Sequence, residues 1–143
     1  MKKSTPSKPT ICLADDDPDD QELLLEAFQQ LTDSHHLKAV SSGTELIEFL
    51  SVTDDSELPC LIVLDYNMPG QDGKQILIYL QNTIRYRHIP KVIYTTSSSS
   101  KDKKEFLSIG ASEFLTKAVS TNDILNSARK MLSHCDVDIT QSA

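Results

Sequence analysis

The sequence has no tryptophan, only four glycines and three cysteines, and no run that approaches about 18 uninterrupted apolar residues. The missing apolar run excludes a membrane-spanning helix. Lys2, Lys3 and Lys8 make the start basic, but no apolar core follows them, which excludes a secretory signal of the usual build. Cys12, Cys60 and Cys135 are too few and too scattered for a disulfide framework, so they read as reduced structural thiols. Positive charge is also short, with 14 basic residues against 21 acidic ones and a formal charge of −7. Such a balance works against phosphate backbones and anionic membranes. These absences together describe a soluble cytoplasmic protein without a nucleic-acid or membrane partner.

What is present fits one domain. A chain of 143 residues with 38% hydrophobic content can bury one core and leaves no room for a second. The expected division is a flexible leader over residues 1–9, a folded domain over 10–133 and a tail over 134–143. β-rich runs occur at Thr10 to Ala14, His36 to Ser41, Cys60 to Leu64, Lys91 to Thr96 and Ser112 to Thr116, each followed by helical spacing. The first helix should bury Leu23, Leu24, Ala27, Phe28 and Leu31, and the last Ile124, Leu125, Ala128, Met131 and Leu132. Leu61-Ile62-Val63-Leu64 is apolar without alternation, as a central parallel strand covered on both faces requires. Five β-α units of this kind predict an open, doubly wound α/β sheet. Asp17 and Pro18 read as the start of the first helix, and Gly110 as the end of the fourth. That fourth helix, about Ser100 to Ile109, has only Phe106, Leu107 and Ile109 to bury and should be the most mobile. The stretch from Ser51 to Pro59 reads as a polar loop.

In doubly wound folds ligands sit beyond the carboxyl ends of the strands. Here the first strand ends on Asp15-Asp16, the third on Asp65, the fourth on Thr95-Thr96 and the fifth on Lys117. Carboxylates gathered so closely repel one another unless a cation sits among them, and hard oxygen ligands suit Mg²⁺. A lysine opposite them offers a point charge for a phosphoryl oxygen and a threonine one more hydrogen bond, so that a free carboxylate can serve as a nucleophile. Each residue taken singly has a plainer reading. The acidic run Asp15 to Asp20 caps a helix, with Asp17, Asp19 and Asp20 doing only that; Asp65 forms a turn; Lys117 is solvated; Thr95 and Phe114 are ordinary strand residues. Ser97 to Ser100 serve as linker and cap. The four histidines, including the adjacent His35-His36, show no metal-ligand or catalytic spacing.

Leu13-Ala14-Asp15-Asp16-Asp17, the stretch from Val63 through Asp65, Asn67 and Pro69 to Gly73, Ile93-Tyr94-Thr95-Thr96-Ser97, and Gly110 to Lys117 resemble, in order and spacing, the receiver domains of response regulators. The resemblance runs from Thr10 to about Ser133. It implies a flavodoxin-like five-stranded parallel sheet of order 2-1-3-4-5 with helices on both faces. It also implies Asp65 as phosphoacceptor, a Mg²⁺ site of Asp15, Asp16, Asp65 and the main-chain carbonyl of Asn67, and Lys117 as the phosphate-contacting lysine. Asp16 should coordinate directly and Asp15 through water. Thr95 is then the switch hydroxyl, and Phe114 the aromatic residue that turns inward. The implied partners are a sensor histidine kinase or a phosphotransfer protein. The face of the fourth helix, fifth strand and fifth helix would serve a homodimer or another partner.

Two other functions fit parts of the pattern. A pseudo-receiver that binds without phosphorylation normally lacks the acceptor, the metal acids or the lysine, all present here. A Mg²⁺-dependent aspartyl phosphohydrolase normally carries a second aspartate two residues after the nucleophile, where this chain has Asn67. The chain departs from the receiver pattern at Ala118, where proline usually follows the lysine. Without proline a cis bond costs about 2.5–4 kcal/mol, so the loop after Lys117 should take another shape. That departure, the Tyr-Thr-Thr-Ser fourth strand and the polar loop before the third strand resemble regulators paired with bacterial phytochromes and hybrid kinases. Because the chain stops soon after the fifth helix, the expectation is a signalling protein, not an enzyme, with no attached output domain.

Overall fold

Leu61-Ile62-Val63-Leu64 has no polar side, so it must be covered twice, and it forms the centre of the sheet with every residue buried. Strands β1 (Thr10–Ala14), β2 (His36–Val40), β3 (Leu61–Leu64), β4 (Lys91–Thr95) and β5 (Glu113–Thr116) are all parallel, in the expected order 2-1-3-4-5. The computed structural model describes residues 8–68 and 70–135. Most of the expected leader and tail, and Pro69, therefore lie outside the described residues.

Alternation along each strand divides the core. Ile11, Leu13, Leu61, Val63, Val92 and Tyr94 meet α1 (Pro18–Leu31) and α5 (Thr121–Cys135). Cys12, Ala14, Ile62, Leu64, Ile93 and Phe114 point the other way, onto α2 (Gly43–Ser51), α3 (Gly73–Asn82) and α4 (Ser100–Ile109). Asp17 caps α1 by accepting from the Asp19 and Asp20 amides, with Pro18 as first residue. Gly110 ends α4 at φ +131°, where an added Cβ would also strike the Gln81 side chain.

Several expectations need correction. Leu23 is 47% exposed, because α1 divides its apolar stripe between the sheet and α5 and Leu23 falls on the rim of the groove between the two helices. Leu107 is 40% exposed, and Phe106 is the only fully buried side chain of α4. The stretch from Ser51 to Pro59 is not all loop: Ser51 closes α2, and a 3₁₀ turn spans Asp55–Glu57. Arg85 ties that turn down, with its Nε 2.6 Å from Asp55 Oδ1. Arg85 itself belongs to a one-turn helix, Ile84–Arg87, that the sequence pattern did not suggest. At the far end α5 runs through His134 to Cys135, so these two residues are helical and not tail. The thiols are corrected too: Cys60, just before β3, and Cys135 form a disulfide across 75 residues of sequence, leaving Cys12 alone free and buried.

Candidate functional site

Parallel pairing puts the acidic residues together. The Asp65 amide donates to Ala14 O and the Asp15 amide to Val40 O, so both aspartates emerge from the same carboxyl edge of neighbouring strands. Asp15 is 1% exposed and Asp65 5%, whereas Asp16 lies open to solvent. Oxygens of the three carboxylates all lie within 4.8 Å of one another. Lys117 enters from the end of β5, its amide donating to Thr95 O, and its ammonium stands 2.8 Å from Asp15 Oδ2 and 3.3 Å from Asp65 Oδ2.

A fourth carboxylate completes the pocket. Asp20 Oδ2 is 2.7 Å from Lys117 Nζ, so Asp20 is more than the first-turn helix residue expected of it. The available signal was its position: α1 starts two residues past the Asp15-Asp16 pair, and Asp20 is the third residue of its first turn, close to the strand end in sequence. Asp17 remains the cap, and Asp19 a first-turn acid whose amide donates to that cap.

The electrostatics follow from this crowding. Burial pushes the Asp15 carboxyl above its ordinary range, against the pull of Lys117 and the Asp17 amide. For Lys117 burial acts downward, but the hydrogen bonds to Asp15 and Asp20 and the field of Asp65 outweigh it and hold the amine well above its usual value. Four carboxylates facing one ammonium leave the pocket strongly negative, and its donors are all hard oxygens. That set fits a small divalent cation such as Mg²⁺ or Mn²⁺.

Thr95 closes β4 beside these groups. It is fully buried, and among the described residues its Oγ1 is the one buried side-chain polar atom without a hydrogen-bond partner. An orphaned hydroxyl in that position is available to an incoming oxygen at no cost in existing bonds. Asn67 begins a two-residue ribbon, Asn67–Met68 against Gln71–Asp72, and its amide donates to Asp65 Oδ1 at 3.2 Å. Ser97 Oγ donates to Asp102 at 2.9 Å, and the Ser99 hydroxyl caps α4.

Phe114 is buried on β5, its ring centroid 5.8 Å from that of Phe106. Phe106 in turn meets Tyr66 edge-on at 5.0 Å. This row joins the residue after Asp65 to α4 and β5. Tyr66 carried no sequence signal for such a role, and Phe106 read only as core. No described peptide bond is cis, and the Ala118 amide donates to the Tyr94 hydroxyl at 3.3 Å.

Residues 11–129 match the family described as response regulator receiver domain. Among characterised proteins, the response regulator Rcp1 of Synechocystis sp. is 30% identical over 125 residues, covering 85% of this chain and 84% of that protein. The solved structure of the Mn²⁺-bound form of Rcp1 superposes with a TM-score of 0.76 at 26% identity, over 87% of this chain and 92% of that one. The response regulator RPA3017 of R. palustris, described in red light signalling, gives a TM-score of 0.77 at 28% identity over the same shares.

Proposed function

The chain belongs to the response regulator receiver domain family, and on that premise we propose that it accepts a phosphoryl group on Asp65 from a phosphohistidine of a histidine kinase or phosphotransfer protein. The observation that carries this reading is the buried Asp15–Lys117–Asp65 arrangement at the strand ends, beside the partnerless Thr95 hydroxyl.

In the proposed step an oxygen of the Asp65 carboxylate attacks phosphorus, a P–O bond forms, the P–N bond breaks, and the imidazole leaves with the electron pair and takes a proton from water. Asp15, Asp16, Asp65 and the main-chain carbonyl of Asn67 are the groups that would hold a Mg²⁺ ion. When bound, the ion supplies charge neutralisation to the phosphoryl oxygens. Lys117 already stands at Asp65 Oδ2, and its ammonium exchanges a carboxylate partner for a phosphoryl oxygen. Thr95 donates its free hydroxyl to another. The resulting acyl phosphate is hydrolysed later by water.

Occupation of the site favours one position of Thr95, and the row Tyr66–Phe106–Phe114 carries that preference to α4 and β5. Phosphorylation thereby biases the face of α4, β5 and α5 between two arrangements that differ in affinity for a partner or a second copy.

Incubation with acetyl phosphate and Mg²⁺, read by intact-protein mass beside Asp65→Asn and a chelator control, tests the acceptor. One phosphoryl unit gained by the wild type and lost in both controls is expected. No gain in folded wild type with any phosphodonor would mean a pseudo-receiver.

A further inference from the structure

The sheet edge opposite the acidic pocket holds a second cluster. Cys60 precedes β3, Cys135 ends α5 and His35 precedes β2, and their sulfur and imidazole atoms lie within 4.8 Å of one another. Cys60 and Asp65 flank opposite ends of β3, about 16 Å apart at roughly 3.3 Å per residue, so the two clusters are separate. The histidine spacing gave no hint of this, because three distant segments meet only in the fold.

Three observations point to a ligand. The donors, two sulfurs and one imidazole, are those that Zn²⁺ selects and Mg²⁺ does not. Thr32 Oγ1 stands 2.8 Å from His35 Nδ1 and fixes the ring, the task of outer partners around metal-bound imidazoles. An open cavity of about 520 Å³, lined in part by Cys60, Cys135, His88 and His134, gives solvent access to the half-buried sulfurs. The third cysteine does not compete: burial pushes the Cys12 thiol up to about 12.

We propose that Cys60, Cys135 and His35 form a redox-gated zinc site, closed as a disulfide when oxidised and binding one Zn²⁺ when reduced, with the fourth position open to water from the cavity. An external dithiol reductant supplies the two electrons: the Cys60–Cys135 bond becomes two thiols and the reductant ends as its own disulfide. Zn²⁺ then binds two thiolates and the neutral imidazole and releases two protons to solvent. The oxidised and metal-loaded forms both fasten the end of α5 to the sheet; the reduced, metal-free form lets its last turn go.

Co²⁺ serves as the probe, since thiolate ligation gives it a charge-transfer absorption that a carboxylate site does not. Reduced protein, freed of reductant and kept anaerobic, is titrated beside its oxidised form, Cys60→Ser, Cys135→Ser and His35→Ala, each checked for folding by circular dichroism. The expected result is one equivalent bound with the thiolate band and displaced by Zn²⁺, no band in the oxidised protein or either serine variant, and at least about tenfold weaker binding in His35→Ala. The oxidised wild type needs no substitution, so a serine variant that fails to fold leaves the comparison intact. Absence of the band in reduced, folded wild type overturns the proposal; so does a band that survives in folded Cys60→Ser or Cys135→Ser, or affinity unchanged in His35→Ala.

Discussion

At the scale of single residues, two lysines do opposite things with burial. Lys117 has three carboxylate partners and is held charged; removing it leaves those carboxylates facing one another. Lys117→Ala should destabilise the cation-free protein by about 3 kcal/mol, the lower end of what breaking a buried pair costs. Urea unfolding measures it, and Mg²⁺ should restore more of the loss in the variant than it adds to the wild type, because the ion takes over the missing charge. A Mg²⁺ effect equal in both proteins would show that Lys117 and the cation do not share a site. Lys91, at the base of β4, is 1% exposed and has no carboxylate partner among the described residues; its ammonium donates to Gln81 Oε1 and the Tyr86 and Arg87 carbonyls. Burial lowers its amine to about 8. A base with a depressed folded pKa contributes stability that is present above its unfolded value of 10.5 and lost as pH falls towards 8. The stability of the wild type relative to Lys91→Met should therefore increase between pH 8 and 10, by up to about 1.4 kcal/mol per pH unit. Paired urea titrations across that window decide it, and a flat difference would mean that Lys91 does not titrate there.

At the scale of elements, the helices are unequally attached. The α1–α5 pair shares a core of buried residues from both helices, including Leu24, Phe28, Ile124, Ala128 and Met131. Helix α4 rests on Phe106, with Ile109 half-buried beside it. Hydrogen exchange should therefore show α4 amides opening before those of α1 and α5. Equal protection would contradict a mobile α4. Phe106→Ala should cost about 3–5 kcal/mol of stability by the usual scale for large core truncations, and should uncouple α4 from Asp65 because it removes the middle ring of the aromatic row.

For the molecule as a whole, the Cys60–Cys135 crosslink closes a separation of 75 residues. In the chain-entropy account, a loop of that length is worth about 4 kcal/mol, gained by restricting the unfolded chain. Reduction in the presence of a chelator should lower the free energy of unfolding by about that amount, with Cys135→Ser giving the same midpoint whether reduced or not. A wild-type midpoint indifferent to reductant would show that the crosslink does not form in solution. At the opposite edge, Mg²⁺ should raise the Tm of the wild type in a concentration-dependent way that a chelator reverses and Asp15→Asn weakens, since only the folded chain assembles the carboxylates.

The sequence by itself determined the layers and the strand ends. Uninterrupted apolar strands, alternating β-α units and the residues closing each strand are local properties, so Asp15, Asp16, Asp65, Thr95 and Lys117 were legible before any fold was known. The caps at Asp17 and Gly110 were legible for the same reason. Tertiary structure alone decided which neighbours these residues meet. Asp20 read as a helix-cap charge until α1 turned it onto Lys117, and Leu23 read as core until α5 took part of the α1 stripe. His35, Cys60 and Cys135 meet only because parallel crossovers return three distant segments to one edge of the sheet, and no spacing along the chain records that distance in space.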